Sequence, residues 1–432
     1  MKVIEKYIFV FDPNKCVGCG ACAVACMNEN GYQSQDRWRN IHSTNPAHHP
    51  FLPLHYLSLA CNHCDDAPCL KNCPAKAYCR DERTGAVIHT AEKCIGCKYC
   101  TWACPYDAPK YNAYKGIVEK CTFCNHRLTE GEKPACAHLC PTGALEFKLH
   151  AFSREEVCAS SPVPVDVGSH FKQAELRREE GPEVDAELFK ELESKPFQRS
   201  QQKITAASEW PLVIFSLIVS SLVAIEWLQL IDNENLIGKV FFLIAGGLSA
   251  LFSTLHLGQK GRAWRSLLHV QHSWLSREIL FFALFMGAVF MDWFIHPLPA
   301  VIPGLMGMGL LLSIDMLYAI AMWRWPLKIH SAQTVLIATS LFFLVKLMPI
   351  IFWAIVAVRL ILLLIHQYRM PNQSLLLVSL RVGSLLMTAI GLFLGVDLVW
   401  LLTAFIVGEI IDRIGFYNQL KVPDVSEEIQ LN

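Results

Sequence analysis

Cys94, Cys97, Cys100 and Cys104, followed by Pro105, read C-x2-C-x2-C-x3-C-P. A short loop wraps a cubane iron–sulfur cluster with this spacing. Three thiolates in two short steps grip one cluster, and the fourth, at the start of the next segment, serves a second. One such run implies a partner run, and three more are present. Cys16, Cys19, Cys22 and Cys26 repeat the spacing. Cys61, Cys64, Cys69 and Cys73 widen the second gap to four residues, and Cys121, Cys124, Cys136 and Cys140 widen it to eleven. The four runs use 16 of the 18 cysteines, so two ferredoxin-like halves and four clusters are expected. Structural zinc also binds C-x2-C pairs. It takes them as separated pairs, however, and gives no purpose to the third cysteine of a triple or to the Cys-Pro ends. Disulfides fit less well, because cluster assembly requires reduced thiols. Cys79 and Cys158 fall outside the pattern and read as buried or incidental thiols.

The elements that must hold these loops are short. Lys2 to Phe11 alternates as a strand leading into the first loop, with a turn at Asp12-Pro13. Val87–His89 reads as a strand before Cys94, Tyr111–Lys120 as a strand-like return before Cys121, and Leu145–Phe147 as the closing strand. The stretch from Asn40 to Pro53, with His42, His48 and His49, reads as an irregular surface loop. Ser153 to Ser208 changes character: its charged, lightly apolar sequence predicts a solvated linker, with room for one amphipathic helix. The expected division is a cluster domain over 1–152, a linker over 153–208, a membrane anchor over 209–417 and a tail over 418–432.

With 53% hydrophobic residues and a mean hydropathy of +0.31, the chain is too apolar for an ordinary soluble protein. The excess lies after Trp210. A membrane-spanning helix needs about 20 apolar residues, and eight candidates follow: Trp210–Ile231, Leu236–Leu257, Glu278–Ile295, Ile302–Met322, Thr334–Leu347, Pro349–His366, Ser374–Gly395 and Val396–Phe416. Tryptophan and tyrosine gather near several ends, as interfacial belts do. Formal net charge is zero, which gives no electrostatic case for nucleic acid. The first residues show neither an apolar signal core nor a twin-arginine motif, so no export address is expected in them. The fold class expected is an α+β ferredoxin-like four-cluster domain followed by an all-α eight-helix transmembrane bundle.

The two halves together resemble two subunits of the anaerobic dimethyl sulfoxide reductase family fused in one chain. The cysteine runs resemble its four-cluster electron-transfer subunit. Glu209-Trp210-Pro211-Leu212, Leu255-His256-Leu257-Gly258, Arg262-Ala263 and Ser276-Arg277-Glu278-Ile279 resemble its eight-helix membrane anchor. The resemblance implies that Cys140 completes the Cys16/Cys19/Cys22 site and Cys26 the Cys121/Cys124/Cys136 site. It likewise implies that Cys104 completes the Cys61/Cys64/Cys69 site and Cys73 the Cys94/Cys97/Cys100 site. Some relatives carry Trp at the position of Cys97 and hold a three-iron cluster; Cys97 here implies four [4Fe–4S] clusters. The first run departs from the pattern at Met27, where Pro is usual.

The function expected is a non-catalytic electron conduit in anaerobic respiration. Membrane quinol, with menaquinol as the expected kind, is the bound substrate, and the clusters feed a separate molybdopterin-containing catalytic subunit that reduces S- or N-oxides. The chain itself shows no phosphate-cradling loop and no nucleophile motif. One alternative is a quinone-reducing anchor of another molybdoenzyme or a hydrogenase, working with b haems. Haem needs paired histidines inside spans, whereas His256, His269, His272, His296, His330 and His366 sit at span ends or in loops, so no haem is expected. The other alternative is a redox-coupled ion transporter. Asp315, Arg359, Arg381 and Glu409 lie inside spans, where charges are costly and usually pair; mutual ion pairing is the reading taken.

Quinol oxidation needs a group to bond the quinone oxygen and groups to take its protons, and a histidine with a carboxylate does both. His256 ends the second span and Glu278 begins the third, so one loop brings them to one membrane face. Arg262, in the same loop, would stabilise negative charge on the quinone. The resemblance implies the same His and Glu. Loops on the cluster side carry Lys260, Arg262, Arg265, Arg277, Arg324, Lys328 and Arg369, with Arg413 and Lys421 grouped after the last span. The other side carries Lys239 and Lys346. Nine positive residues against two place the clusters on the cytoplasmic side of the bacterial inner membrane.

Overall fold

Short helices separated by tight loops carry the cysteines of the N-terminal unit. In chain order its elements are β1 (Ile4–Phe11), α1 (Ala21–Asn30), β2 (Asn40–Ser43), β3 (Tyr56–Leu59), α2 (Pro68–Asn72), β4 (Tyr78–Arg80), β5 (Val87–His89), α3 (Tyr99–Ala103), β6 (Lys110–Asn112), β7 (Ile117–Glu119), α4 (Asn125–Thr129), α5 (Ala135–His138), β8 (Leu145–Phe152) and β9 (Ser169–Phe171). The computed structural model describes residues 4–32, 37–45, 54–152, 169–171, 204–231, 234–322, 325, 327–369 and 375–420. Contacts divide the chain into residues 1–201 with 423–432, and residues 202–422.

β1 pairs antiparallel with β8 along its whole length, from Ile4 opposite Phe152 to Phe11 opposite Leu145. β9 adds in parallel on the other edge of β1. The strand expected at the start and the one expected at the close of the domain therefore form one sheet. The stretch predicted as a single strand-like return before Cys121 is a hairpin, β6 with β7. Ile8, Phe9, Val10 and Phe11 are buried. Phe9, Phe123 and Phe147 meet edge-on with centroids 5.2 Å apart, fastening the loop of the fourth cysteine run onto the sheet. His42 lies in β2, not in an irregular loop; His48 and His49 lie outside the described residues, as do Cys158 and most of the linker. Within that linker the described Ser169–Phe171 is a strand. Cys79 is exposed on β4, so of the two readings offered for it, burial is wrong.

The second unit is helical: α6 (Trp210–Leu228), α7 (Leu236–Leu255), a 3-10 stretch (Lys260–Leu267), α8 (Trp274–Phe294), α9 (Val301–Tyr318), α10 (Thr334–Val345), α11 (Pro349–Arg369), α12 (Leu375–Phe393) and α13 (Leu398–Gln419). Six of these are long and apolar enough to cross a membrane. The other two are α10 and α13. With 12 residues, α10 reaches about 18 Å at 1.5 Å per residue, short of a hydrocarbon core of ~30 Å. α13 has the length but carries Glu409, Asp412 and Arg413. The third helix begins at Trp274, a turn before Glu278, so Glu278 does not open it. α6 packs against α7, α9, α10 and α13, and 67% of its apolar span is buried, which makes it the central helix of this unit.

Candidate functional site

In the first C-x2-C step of each run the residue just before the second cysteine has a left-handed backbone: Gly18 (φ 67°), His63 (φ 47°), Gly96 (φ 71°) and Phe123 (φ 59°). Such a residue reverses the chain so that both flanking thiols face inward. Glycine adopts it freely at two of the four. At Gly18 there is a second requirement, since a Cβ would stand 2.6 Å from the Tyr56 ring. The third cysteine of each run is then the second residue of a short helix: Cys22 in α1, Cys69 in α2, Cys100 in α3 and Cys136 in α5. One local device is thus used four times.

Tertiary folding gathers the cysteines into four groups. In group A, Cys16 faces Cys19, Cys22 and Cys140. In group B, Cys26 faces Cys124 and Cys136, and Cys121 faces Cys26 and Cys136. In group C, Cys61, Cys64, Cys69 and Cys104 line one cavity with Pro68, Pro105 and Lys120. In group D, Cys100 faces Cys73, Cys94 and Cys97. Each group therefore takes its fourth cysteine from a different run. Among the described residues no three His, Cys, Asp or Glu side chains close around a single ion; a cubane spreads its ligands over four corners and asks for a wider set.

The donor chemistry fits such a group. Burial pushes the Cys69 thiol up to about 12 and the Cys26 thiol up to about 11. Buried thiols of this kind give up their protons when a cationic iron centre is bound. N–H donors already point at the sulfurs: His63 N to Cys61 Sγ at 3.4 Å, Ala77 N to Cys73 Sγ at 3.3 Å, Gly96 N to Cys94 Sγ at 3.4 Å and Leu145 N to Cys140 Sγ at 3.4 Å. At Cys140 burial works against ionisation, but the Leu145 and Thr142 hydrogen bonds outweigh it and lower its pKa.

Three buried side chains stand where consecutive groups meet. Arg39 faces Cys22 of group A and Cys26, Cys121 and Cys136 of group B. Lys120 faces Cys121 of group B and Cys61 and Cys69 of group C, with its Nζ 3.5 Å from Cys61 Sγ. Tyr78 faces Cys69 of group C and Cys73 and Cys100 of group D. The groups therefore follow one another in the order A, B, C, D.

In the helical unit, His256 caps the C-terminus of α7 and is partly buried. Arg262 lies in the 3-10 stretch, which packs against α8. Glu278 is 4% exposed on α8, and its field reaches the buried pair Tyr318 and Tyr417, whose hydroxyls hydrogen-bond to each other. Of the charged residues noted in the later spans, Arg359, Arg381 and Glu409 pair as expected, with Asp412 joining them, whereas Asp315 bonds the start of the next helix instead. Arg359 donates from Nη1 and Nη2 to Glu409 Oε1 and Oε2, both at 2.6 Å. Arg381 donates to Glu409 Oε1 at 2.9 Å and lies 3.1 Å from Asp412. Asp315 accepts from Thr334 N at 2.7 Å and Val335 N at 3.2 Å, so α9 caps the short helix α10. Arg413, expected with the residues beyond the last span, lies inside α13 and is 1% exposed. His330 and His366 pack against each other with rings 5.3 Å apart, and each bonds a backbone group.

Arg39, Lys120, Tyr78, Tyr318, Tyr417 and Asp412 do not stand out in the sequence. Lys120 precedes a cysteine, which is a weak signal; the others carry none.

Comparisons with known proteins find iron–sulfur domains followed by an anchor domain. Residues 8–32 match a 4Fe-4S binding domain, residues 52–150 a 4Fe-4S dicluster domain, and residues 204–399 the DMSO reductase anchor subunit. The probable anaerobic dimethyl sulfoxide reductase protein YnfG of Escherichia coli is 41% identical over 182 residues, 40% of this chain and 87% of that one. The B subunit of the anaerobic dimethyl sulfoxide reductase of the same organism is 39% identical over 186 residues, again 40% and 87%. The thiosulfate reductase electron transfer subunit PhsB of Salmonella typhi is 37% identical over 146 residues, 33% of this chain and 76% of that one.

Proposed function

Because the chain belongs to the family of dimethyl sulfoxide reductase iron–sulfur subunits, and continues into that enzyme's membrane anchor, we propose that it carries electrons from a membrane quinol through four [4Fe–4S] clusters to a separate molybdopterin catalytic subunit. The four groups of cysteines would hold the clusters: Cys16/Cys19/Cys22/Cys140, Cys26/Cys121/Cys124/Cys136, Cys61/Cys64/Cys69/Cys104 and Cys73/Cys94/Cys97/Cys100. Bound clusters supply one-electron storage; the polypeptide spaces them, shields them and donates N–H bonds to their sulfur ligands. The observation that carries this reading is the cavity in which Cys104 joins Cys61, Cys64 and Cys69, a set drawn from two different runs.

At the membrane, quinol gives up two electrons and two protons. His256 would bond the quinol oxygen and Glu278 would accept a proton, with Arg262 stabilising negative charge. Glu278 is 4% exposed, so a proton it takes up is shielded from bulk water, which supports this role. The cluster domain is read as cytoplasmic, from the positive residues of the loops on its side of the anchor. The partner subunit would reduce an S- or N-oxide. Relatives named for thiosulfate and arsenate suggest that the terminal acceptor is chosen by that partner.

The test uses the full chain purified anaerobically in detergent. It should contain about 16 iron atoms with matching sulfide, the content of four [4Fe–4S] clusters. Glu278→Gln should keep that iron, lose cluster reduction by added quinol and retain reduction by dithionite. Normal quinol-dependent rates in both Glu278→Gln and His256→Ala would place quinol oxidation elsewhere.

A further inference from the structure

Two cations are fully buried between the cysteine groups. Arg39 is 1% exposed and Lys120 is 1% exposed. Neither faces a carboxylate among its strongest neighbours; both face cysteines. The Arg39 guanidinium lies 4.4 Å from the centre of the Phe9 ring. Its Nη1 donates to Ser58 Oγ at 3.1 Å and Ser58 O at 3.3 Å, and Ser58 Oγ is in turn 3.3 Å from Cys22 Sγ. Its Nε and Nη2 have no hydrogen-bond partner among the described residues. Lys120 Nζ donates to Val87 O and to Cys121 O, the latter at 2.9 Å, and sits 3.5 Å from Cys61 Sγ.

A buried charge without a counter-charge is strongly unfavourable. Four thiolates around a [4Fe–4S] core leave the whole site with net negative charge, which grows by one on reduction. A fixed positive charge nearby therefore favours the reduced state, and net charge and hydrogen bonds to sulfur are the recognised levers on cluster potential. The effect is largest where water is excluded, as at both residues. We propose that Arg39 and Lys120 are positioning charges that raise the reduction potentials of the clusters they separate, Arg39 for groups A and B and Lys120 for groups B and C. Group B lies between both charges and answers to both. Group D, on the far side of Tyr78, answers to neither. An electron is thereby favoured in the middle of the chain, where neighbouring clusters can accept or deliver it.

The proposal rests on the four-cluster reading above. It is tested by redox titration of the full chain, following the clusters by electron paramagnetic resonance, in Arg39→Gln, Lys120→Gln, Arg39→Lys and Lys120→Arg. Each neutral variant should move two of the four titration waves to lower potential, by at least tenfold in the one-electron equilibrium, or 59 mV. One wave should move in both neutral variants and one in neither. The charge-keeping variants should leave all four within a few-fold of the parent. Iron lost from the neutral variants and kept by the charge-keeping ones also supports a role for the charge. Full iron with unmoved waves in the neutral variants overturns the inference. So does iron lost equally from neutral and charge-keeping variants, which marks a packing role. A parent chain with far fewer than about 16 iron atoms overturns the four-cluster reading instead.

Discussion

Replacing Glu409 with Gln probes the buried ion-pair network of the helical unit. Glu409 accepts three charge-assisted bonds, two from Arg359 at 2.6 Å and one from Arg381 at 2.9 Å. Together with Asp412, 3.3 Å from Arg359 and 3.1 Å from Arg381, the four side chains are neutral overall. Glutamine keeps one acceptor oxygen and removes the charge, leaving two buried guanidinium groups against a single carboxylate. Breaking a buried pair from one side costs about 3–5 kcal/mol. For a unit of this size each kcal/mol moves the melting temperature by about 2–4 °C, so a fall of roughly 6–20 °C is expected. The assay is thermal unfolding of the detergent-solubilised chain by tryptophan fluorescence. Adding Arg359→Met restores neutrality between Arg381 and Asp412, so the double variant should melt above Glu409→Gln alone, a coupling of about 1 kcal/mol or more. A Glu409→Gln melting point within about 2 °C of the parent, or strict additivity in the double variant, would refute the network as a structural clamp.

Two smaller tests address the cluster domain. Gly18→Ala combines a left-handed backbone with a Cβ 2.6 Å from the Tyr56 ring, so it should lose the iron of one cluster, about four atoms. Gly20→Ala has a similar φ but open space around it and should lose much less; equal losses would show that backbone strain alone decides. His89 is held down to about 4, mainly by burial with Lys120 adding repulsion, against about 6.5 when unfolded. The unfolded chain then takes up this proton first as pH falls. Stability of the cluster domain should therefore be unaffected by His89 above about pH 6.5, decline between 6.5 and 4 by at most ~1.4 kcal/mol per unit, and level off below. Hydrogen exchange of the domain across this range should show the decline, and His89→Gln should remove that component.

The local chemistry of this protein is legible in its sequence, because it depends on residues a few positions apart. C-x2-C spacing determines that two thiols can share a turn. The four cysteine runs are therefore readable directly, as are the apolar stretches that form helices α6 to α13. Sequence is less informative where the outcome depends on packing between distant segments. The alternation from Tyr111 to Lys120 does not reveal a hairpin, since the turn between Asn112 and Ile117 interrupts a pattern that reads as continuous. The 12-residue α10 reads as longer because composition cannot show where Leu347 adopts a left-handed backbone and ends the run.

The bringing together of Cys104 with Cys61, Cys64 and Cys69 needs the folded chain, or a resemblance to chains already known to fold this way. Arg39 and Lys120 make the same point more sharply. In the sequence each is one of 38 basic residues, and most basic residues are solvated. Only the tertiary structure closes water out around these two and turns cysteines from distant runs toward them. A charge gains its influence from the medium around it, and that medium is built by long-range packing, which spacing along the chain does not encode.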